Sequence, residues 1–565
     1  MELLIKNGFV YDPQNKVNGE KMDIAIQNGR IVESVDPTKA VIIDASNMIV
    51  MPGGVDLHSH IAGAKVNAGR LLRPEDHYKD VEVKTPITRS GVGHSIPSTF
   101  TTGYRYARMG YTTVFEPATA PLKTLHTHEE LNDIPILDKA CFPLFGNNWI
   151  VMEYLKENRI EECAAYIAWM LNATKGYAIK IVNPGGVEAW GWGKGIKSLD
   201  DQVPYFGITP REILRGLCKV NRLLNLPHPI HVHCNNLGKP GNYRTTIETM
   251  DCVSDLATDD KPIMHVTHVQ FTGYGGVDWA SLASRADKIA KYVNAHRHVT
   301  IDLGQIIFTD TTTMTADGPF QYQLYLLTGN KWINSDVEAE TGAGVVPMRY
   351  RRNNYAHAVM WAIGLELALL VKDPWRVFMT TDHPNGGPFT SYPRVISWLM
   401  SREVRRKILA KAPRLTRVRT NLSAIDREYT FYEIAIVTRA GTAKILGLKN
   451  KGHLGVGADA DIAIYNINPT EIDPSKDYKK VRRAFRNTAY TIKDGEIVAK
   501  DGEITKASNG RTYWIKPEVP TDLMDAMKAT LVEKFEDYYT VKLENYPIPE
   551  RYLAQSTPVN IKANL

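Results

Sequence analysis

Cysteine is scarce. Cys141, Cys163, Cys218, Cys234 and Cys252 are the only five in 565 residues, and no two form a CxxC pair. A scattered, odd set argues against a disulfide framework and against a cysteine-held cluster in this chain, and for a reducing compartment. Long apolar runs are missing too. A membrane span needs about 18 or more uninterrupted apolar residues. The longest apolar helix candidate, Ala356 to Val371, is broken by His357 and Glu366 and is expected to be a buried helix. The amino terminus, Met-Glu-Leu-Leu-Ile-Lys-Asn-Gly, has no charged leader before an apolar core, so no signal peptide and a cytoplasmic location are expected. Neither sign of charge dominates: 68 basic against 62 acidic residues leave +6. That argues against a dedicated nucleic-acid binder and is compatible with an anionic small substrate.

What is present is an ordinary globular composition, 43% hydrophobic and 23% charged, at a length that predicts roughly two to four domains. Residues 1–50 read as short strands with tight turns, with hairpin signals at Asn7-Gly8 and Asn28-Gly29. A similar pattern returns at about 425–510. Neither piece alone buries much surface, so one composite β-sandwich domain built from both ends is expected. Between them, 51–424 alternate strands and helices. Eight strand candidates end near His58, Glu116, Phe145, Val182, His233, His268, Leu303 and Asp382. Helices are expected over Ile150–Leu171, Arg211–Leu224 and Asp278–Asn294. The reading is a (β/α)8 TIM barrel with long inserts at about 61–97 and 305–352. Residues 511–565 form a carboxy-terminal extension, expected to contact a neighbouring subunit or to wrap its own barrel.

In such a barrel the chemistry sits at the carboxyl ends of the strands. His58 and His60 leave one strand end on the same face, and two imidazoles there make half of a metal site. Lys180, His233, His268 and Asp382 end later strands. His231 and His265 are rivals to His233 and His268, but lie deeper. Imidazole nitrogens suit zinc, bound by neutral histidine. Lys180 is odd in a barrel strand, because a buried unpaired ammonium is costly. It either pairs with a buried carboxylate such as Glu116, or reacts with CO2 to give a carbamate that bridges two cations. Asp382 can bind metal, act as general base, or both.

The stretch Pro52-Gly-Gly-Val-Asp-Leu-His-Ser-His, the strand lysine, the two later histidines, Thr381-Asp-His and Gly457-Ala-Asp-Ala-Asp-Ile-Ala resemble the amidohydrolase superfamily, nearest in pattern to its hydantoinase and dihydroorotase branch. The resemblance implies a binuclear zinc site with a carboxylated lysine, held by His58, His60, Lys180, His233, His268 and Asp382. Further stretches are similar to the A-type component of formylmethanofuran dehydrogenases: His58-Ser-His-Ile-Ala-Gly-Ala-Lys-Val-Asn, Arg73-Pro-Glu-Asp, Tyr177-Ala-Ile-Lys-Ile-Val-Asn-Pro-Gly-Gly, His233-Cys-Asn-Asn-Leu-Gly and Thr381-Asp-His-Pro-Asn-Gly-Gly-Pro-Phe. A dihydroorotase would usually carry Ala-Pro-His after its Asp-His; Pro-Asn-Gly stands here, against a pyrimidine substrate.

That similarity implies condensation of formate with the amine of methanofuran, which is amide hydrolysis run backwards. Asp382 would take the proton. The implied partners are a molybdenum or tungsten pterin subunit that reduces CO2 and iron–sulfur subunits, with no molybdopterin or iron–sulfur cofactor in this chain. Asn235, Arg285 and Gln305 are candidates to bind formate. Two other readings stand beside it. One is a free-standing cyclic-amide hydrolase of hydantoinase or dihydropyrimidinase type. The other is a non-catalytic scaffold of the same fold.

Overall fold

The two ends of the chain meet in one sheet. In this computed structural model, which describes residues 2–258, 261–335, 343–538 and 541–565, a nine-stranded sheet takes Glu2–Asp12, Val17–Gln27, Arg30–Val32, Val41–Asp44 and Ile49–Pro52 from the front. It takes Ile462–Tyr465, Tyr490–Lys493, Glu496–Lys500 and Glu503–Ile504 from the back. The seam is antiparallel, pairing Pro52 with Ile462 and Ile49 with Tyr465. Asn28-Gly29 makes the expected tight turn, both residues at positive φ. Asn7-Gly8 does not. The strand runs straight through it with a register shift between Ile5 and Gly8, so the Asn-Gly signal marks a bulge. Gly8 is needed there because Val50 leaves no room for a Cβ.

The apolar run before His58 is split between two sheets. Ile49–Pro52 belongs to the nine-stranded sheet, and a separate strand, Gly54–Asp56, carries the histidines. Gly53 makes the handover, where the Thr112 side chain fills the space a Cβ would need. Gly54–Asp56, Tyr111–Thr119 and Asp138–Pro143 then pair in parallel. Lys180–Val182, Ile230–His233, Met264–Val266, Val299–Asp302 and Val377–Phe378 form a second parallel set. Isolated parallel bridges, Leu144 to Lys180 and Ser59 to His383, link the two sets at both edges. These strands are buried on both faces, with helices packed outside them, as parallel strands require.

Several helices differ from the sequence expectation. Ile150–Leu171 is two helices, Trp149–Lys156 and Ile160–Thr174, broken at Glu157-Asn158-Arg159, where Asn158 has positive φ. The Asp278–Asn294 helix begins only at Ala286, because Tyr274–Gly275 and Ala283–Ser284 form a small hairpin first. The tail also contributes strands. Thr512–Glu518 and Ser556–Lys562 pair in parallel, and Thr512 joins Lys139 of the Asp138–Pro143 strand. The extension therefore packs on its own chain.

Both inserts are ordered where described; residues 336–342 of the second lie outside the described residues. The first contains the Ala64–Leu72 helix and the second a sheet of Asp310–Thr315, Ala343–Arg349 and Ile333–Ser335. Val66 and Ile96 pack with Met314 and Val345, so the inserts form one cap. Asn385 Oδ1 accepts from Met314 N at 2.5 Å and Asn385 O accepts from Tyr350 Oη at 3.1 Å, which fastens the cap to the loop after Asp382. Among the described residues, no helix is long and apolar enough to cross a membrane.

Candidate metal centre

The Gly54–Asp56 strand ends in a rigid clamp. Asp56 accepts from His58 N at 3.1 Å and from Tyr106 Oη at 2.8 Å, and also from Tyr392 Oη. Burial lifts its carboxyl to about 6, with the tyrosine hydroxyls opposing. Beyond it the two histidines converge on one atom. Asp382 Oδ1 lies 3.0 Å from His58 Nε2 and 3.3 Å from His60 Nε2. His60 Nδ1 is held 2.9 Å from Glu116 Oε1, which makes Nδ1 the protonated nitrogen and aims the Nε2 lone pair at the same place. His268 joins with its ring centroid 5.3 Å from that of His58. Donor atoms of His58, His268 and Asp382 all lie within 4.8 Å of one another.

His268 and Asp382 share a strained backbone, at φ 40° and 49°. Non-glycine residues in this region cost about 1–3 kcal/mol and persist where the surroundings over-determine them. His268 is pinned by its N–H to Asp302 Oδ1 at 2.9 Å, and Asp302 is fixed by Thr380 Oγ1 at 2.6 Å. Asp382 sits in a tight loop closed by Asn385 N to its carbonyl at 2.6 Å.

His58 Nε2, His268 Nδ1, Asp382 Oδ1 and Lys180 Nζ are all buried without a hydrogen-bond partner. One such atom needs explaining in a native protein; four in one cluster, mostly lone-pair donors, suit a cation. Burial lowers the pKa of His58 and His268 well below the usual histidine value, favouring the neutral, ligating form. Burial raises Asp382, with His60 opposing. Lys180 is pushed down to about 7 by burial, with Asp382 and Asp302 pulling the other way. Glu116 does not serve it. That carboxylate is taken by Lys65 Nζ at 2.9 Å and by His60.

His233 is brought beside His268, ring centroids 4.7 Å apart, but its Nε2 is 3.1 Å from Asp317 Oδ2. The two deeper rivals are already engaged. His231 bonds His58 and His228, and His265 bonds Asp302 at 3.0 Å and Thr300 at 2.9 Å. Asn235 lies two hydrogen bonds beyond Asp317, through Asn183, its Nδ2 donating to Asn183 Oδ1 at 2.8 Å, with its own Oδ1 buried and unpartnered. Arg285 belongs to the hairpin, where it donates to Ser284 O at 2.9 Å and packs on Gly275. Gln305 donates to Ile306 O and Trp361 O, toward the Tyr355–Leu370 helix. Neither Arg285 nor Gln305 bonds any residue of the cluster.

The family model for the amidohydrolase family matches residues 41–499. The chain belongs to the amidohydrolase family. It is similar to Protein FwdA of Methanocaldococcus jannaschii, 55% identical over 570 residues, covering 100% of this chain and 99% of that protein. It is also similar to the A component of the formyltransferase/hydrolase complex Fhc of Methylorubrum extorquens, 36% identical over 543 residues, covering 95% and 94%. The crystal structure of that organism's FhcABCD complex with methylofuran superposes with a TM-score of 0.90 at 35% identity, over 100% of both chains. Within this amidohydrolase fold, polar residues around the cluster were missed in the sequence, among them Asp302, His228, Thr267 and Asp317. Asp302 ends a strand like the chosen ligands and was legible by the same rule. His228, Thr267 and Asp317 were not, since only tertiary packing brings them in.

Proposed function

We propose that this chain is the amidohydrolase-type subunit that condenses formate with the amine of methanofuran to give formylmethanofuran, and runs the reverse hydrolysis. It would act within a CO2-reducing formylmethanofuran dehydrogenase complex, in the cytoplasm, beside iron–sulfur subunits and a molybdenum or tungsten pterin subunit. The observation that carries this reading is the buried set of unpartnered donors around Asp382, in a chain similar over its full length to a member of a complex crystallised with methylofuran.

His58, His60, His233, His268, Asp382 and a carbamate on Lys180 are proposed to hold two zinc ions. An amine lowered to about 7 is partly neutral at neutral pH, the form that adds to CO2 with loss of one proton to give the carbamate. Divalent cations bound there would supply Lewis acidity toward the formyl oxygen. Asp382 takes a proton from the attacking amine in the synthetic direction and returns it to the leaving amine in hydrolysis. Asn235 Oδ1, unpartnered and buried, is a polar contact for formate or for the amine. The two edge bridges, Leu144 to Lys180 and Ser59 to His383, support closure of the eight parallel strands into a (β/α)8 barrel. On this reading the nine-stranded sheet and its turns form a composite β-domain over 1–50 and 425–510, the barrel occupies 51–424, and 511–565, besides packing on its own chain, is a subunit contact.

The test is formate release from formylmethanofuran by the purified chain, with metal content measured alongside, repeated on Asp382→Asn. Release that requires bound metal and falls about 10²- to 10⁴-fold in the variant is expected from loss of a general base. Turnover of hydantoin or dihydrouracil with no formamide cleavage overturns the substrate assignment.

A further inference from the structure

Below the cluster two buried histidines that the proposed reaction does not use, His228 and His231, run in line to His58. The Ile445 carbonyl accepts from His228 Nδ1 at 2.8 Å. His228 Nε2 is 3.0 Å from His231 Nδ1, and His231 Nε2 is 2.8 Å from His58 Nδ1. All three rings are fully buried. A backbone carbonyl can only accept, so the first proton is fixed on His228 Nδ1. A neutral imidazole has one N–H and one lone pair. His228 Nε2 must therefore accept from His231 Nδ1, and His231 Nε2 from His58 Nδ1. The order imposed by one carbonyl leaves a lone pair on His58 Nε2, which lies 3.0 Å from Asp382 Oδ1 with no hydrogen bond between the two atoms, unlike the bonded pair of His233 and Asp317. Thr267 supports the same direction. Its hydroxyl oxygen lies 2.5 Å from His58 Nδ1 and can accept from it.

We propose that His228 and His231 are positioning residues: a relay hung from the Ile445 carbonyl sets the tautomer of His58 and so presents its Nε2 as a ligand. The consequence for metal binding rests on the metal-centre reading above; the tautomer itself does not. The relay also decides between two roles for His231. Its donor atoms, with those of His58 and Asp302, lie within 4.8 Å of one another, an alternative ligand set. Those ligands would need lone pairs on both His58 Nδ1 and His231 Nε2, whereas the relay places one shared proton between them.

The experiment uses the full chain labelled with ring-15N histidine, stripped of metal by chelator, with the His58 signal assigned by its loss in His58→Gln. His58 is expected as the Nδ1–H form. His231→Leu removes the acceptor and is expected to give a mixture, while His231→Gln keeps a side-chain oxygen that can accept and restores the single form. His228→Leu, which touches no proposed ligand, is expected to shift His58 in the same direction and guards against a His231 variant that fails to fold. Zinc affinity by chelator competition is expected to fall about 10- to 100-fold in His231→Leu, the range for lost outer partners of a ligand, and to stay within a few-fold in His231→Gln. An Nε2–H form of His58 in the parent chain overturns the relay, as does equal loss of zinc in the Leu and Gln variants, which would make His231 a ligand. Failure of the parent chain to bind zinc with His58 still in the Nδ1–H form sinks the metal reading and leaves the relay standing.

Discussion

Lys65 Nζ stands 2.9 Å from Glu116 Oε1, and the same oxygen holds His60 Nδ1 at 2.9 Å. The other oxygen accepts from Ile61 N at 2.8 Å and Ala62 N at 3.2 Å, so one carboxylate fixes both the ring and the chain leaving it. Burial alone would raise Glu116; the Lys65 ammonium and His60 outweigh it and lower it to about 2. Lys65→Met would strand this anion in the core. Breaking a buried pair by removing one partner costs about 3–5 kcal/mol, so a clear drop in urea-unfolding stability is expected. Glu116→Gln leaves the buried Lys65 ammonium facing a neutral amide oxygen that can still accept from it. It is expected to lose stability as well, and in addition to weaken zinc binding about 10- to 100-fold. Equal stability of Lys65→Met and the parent chain would contradict the pairing.

Because Glu116 is engaged elsewhere, Lys180 has no partner for its amine. If the lysine serves the fold, Lys180→Met should destabilise it. If it serves the metal centre, the variant replaces a buried, unpartnered amine with an apolar chain of similar length. It should then melt no lower than the metal-free parent while losing most of its zinc. Melting of both metal-free proteins, with zinc counted per chain, separates the two roles.

The proposed ligands were legible as candidates because a strand end is a local event. His58, His60, His268 and Asp382 each follow a short apolar run, and their convergence on one point is what parallel strands impose. The partners of those ligands were not legible. Lys65 comes from the first insert and Asp317 from the second, and nothing near either in sequence points to His60 or His233. Glu116 was a sound guess as partner of Lys180 by strand position, but a lysine arriving from a helix took it. The same limit hid the strands Thr512–Glu518 and Ser556–Lys562, whose alternation is weak and whose partner lies at Lys139. Asn7-Gly8 misled for the opposite reason: a turn signal says that φ is positive, and a bulge satisfies that as well as a hairpin does.

Glu366 gives a pH test remote from the metal centre. It lies within the Tyr355–Leu370 helix and accepts from Ser284 Oγ and Asn421 N. Burial raises it from 4.5 to about 7, with those donors opposing. A raised carboxyl favours the protonated folded form. Stability contributed here is complete below about pH 4.5 and falls as pH climbs to about 7, by roughly 3 kcal/mol at 1.36 kcal/mol per unit. Glu366→Gln lacks the titration. Relative to the parent, it should gain stability between pH 4.5 and pH 8, measured by urea unfolding. A constant difference across that range would mean that Glu366 is not held protonated.

Asp317 couples the cap to the site. Its Oδ2 faces His233 Nε2 at 3.1 Å, and its Oδ1 accepts from Asn183 Nδ2 at 3.0 Å and caps a helix at Phe320 N at 3.1 Å. A carboxylate only accepts, so His233 carries its proton on Nε2 and keeps its lone pair on Nδ1. Asp317→Asn can preserve the oxygen that caps Phe320, but then turns an N–H toward His233 Nε2. The ring must flip its tautomer to accept, which removes the Nδ1 lone pair. The variant is therefore expected to fold with less than the ~1 kcal/mol loss of a deleted cap, yet to lose zinc and formamide turnover together. Asp317→Ala deletes the cap as well but leaves the ring free to choose its tautomer, so it should be less stable than Asp317→Asn and retain more zinc. The reverse order of zinc content would show that His233 does not bind metal through Nδ1.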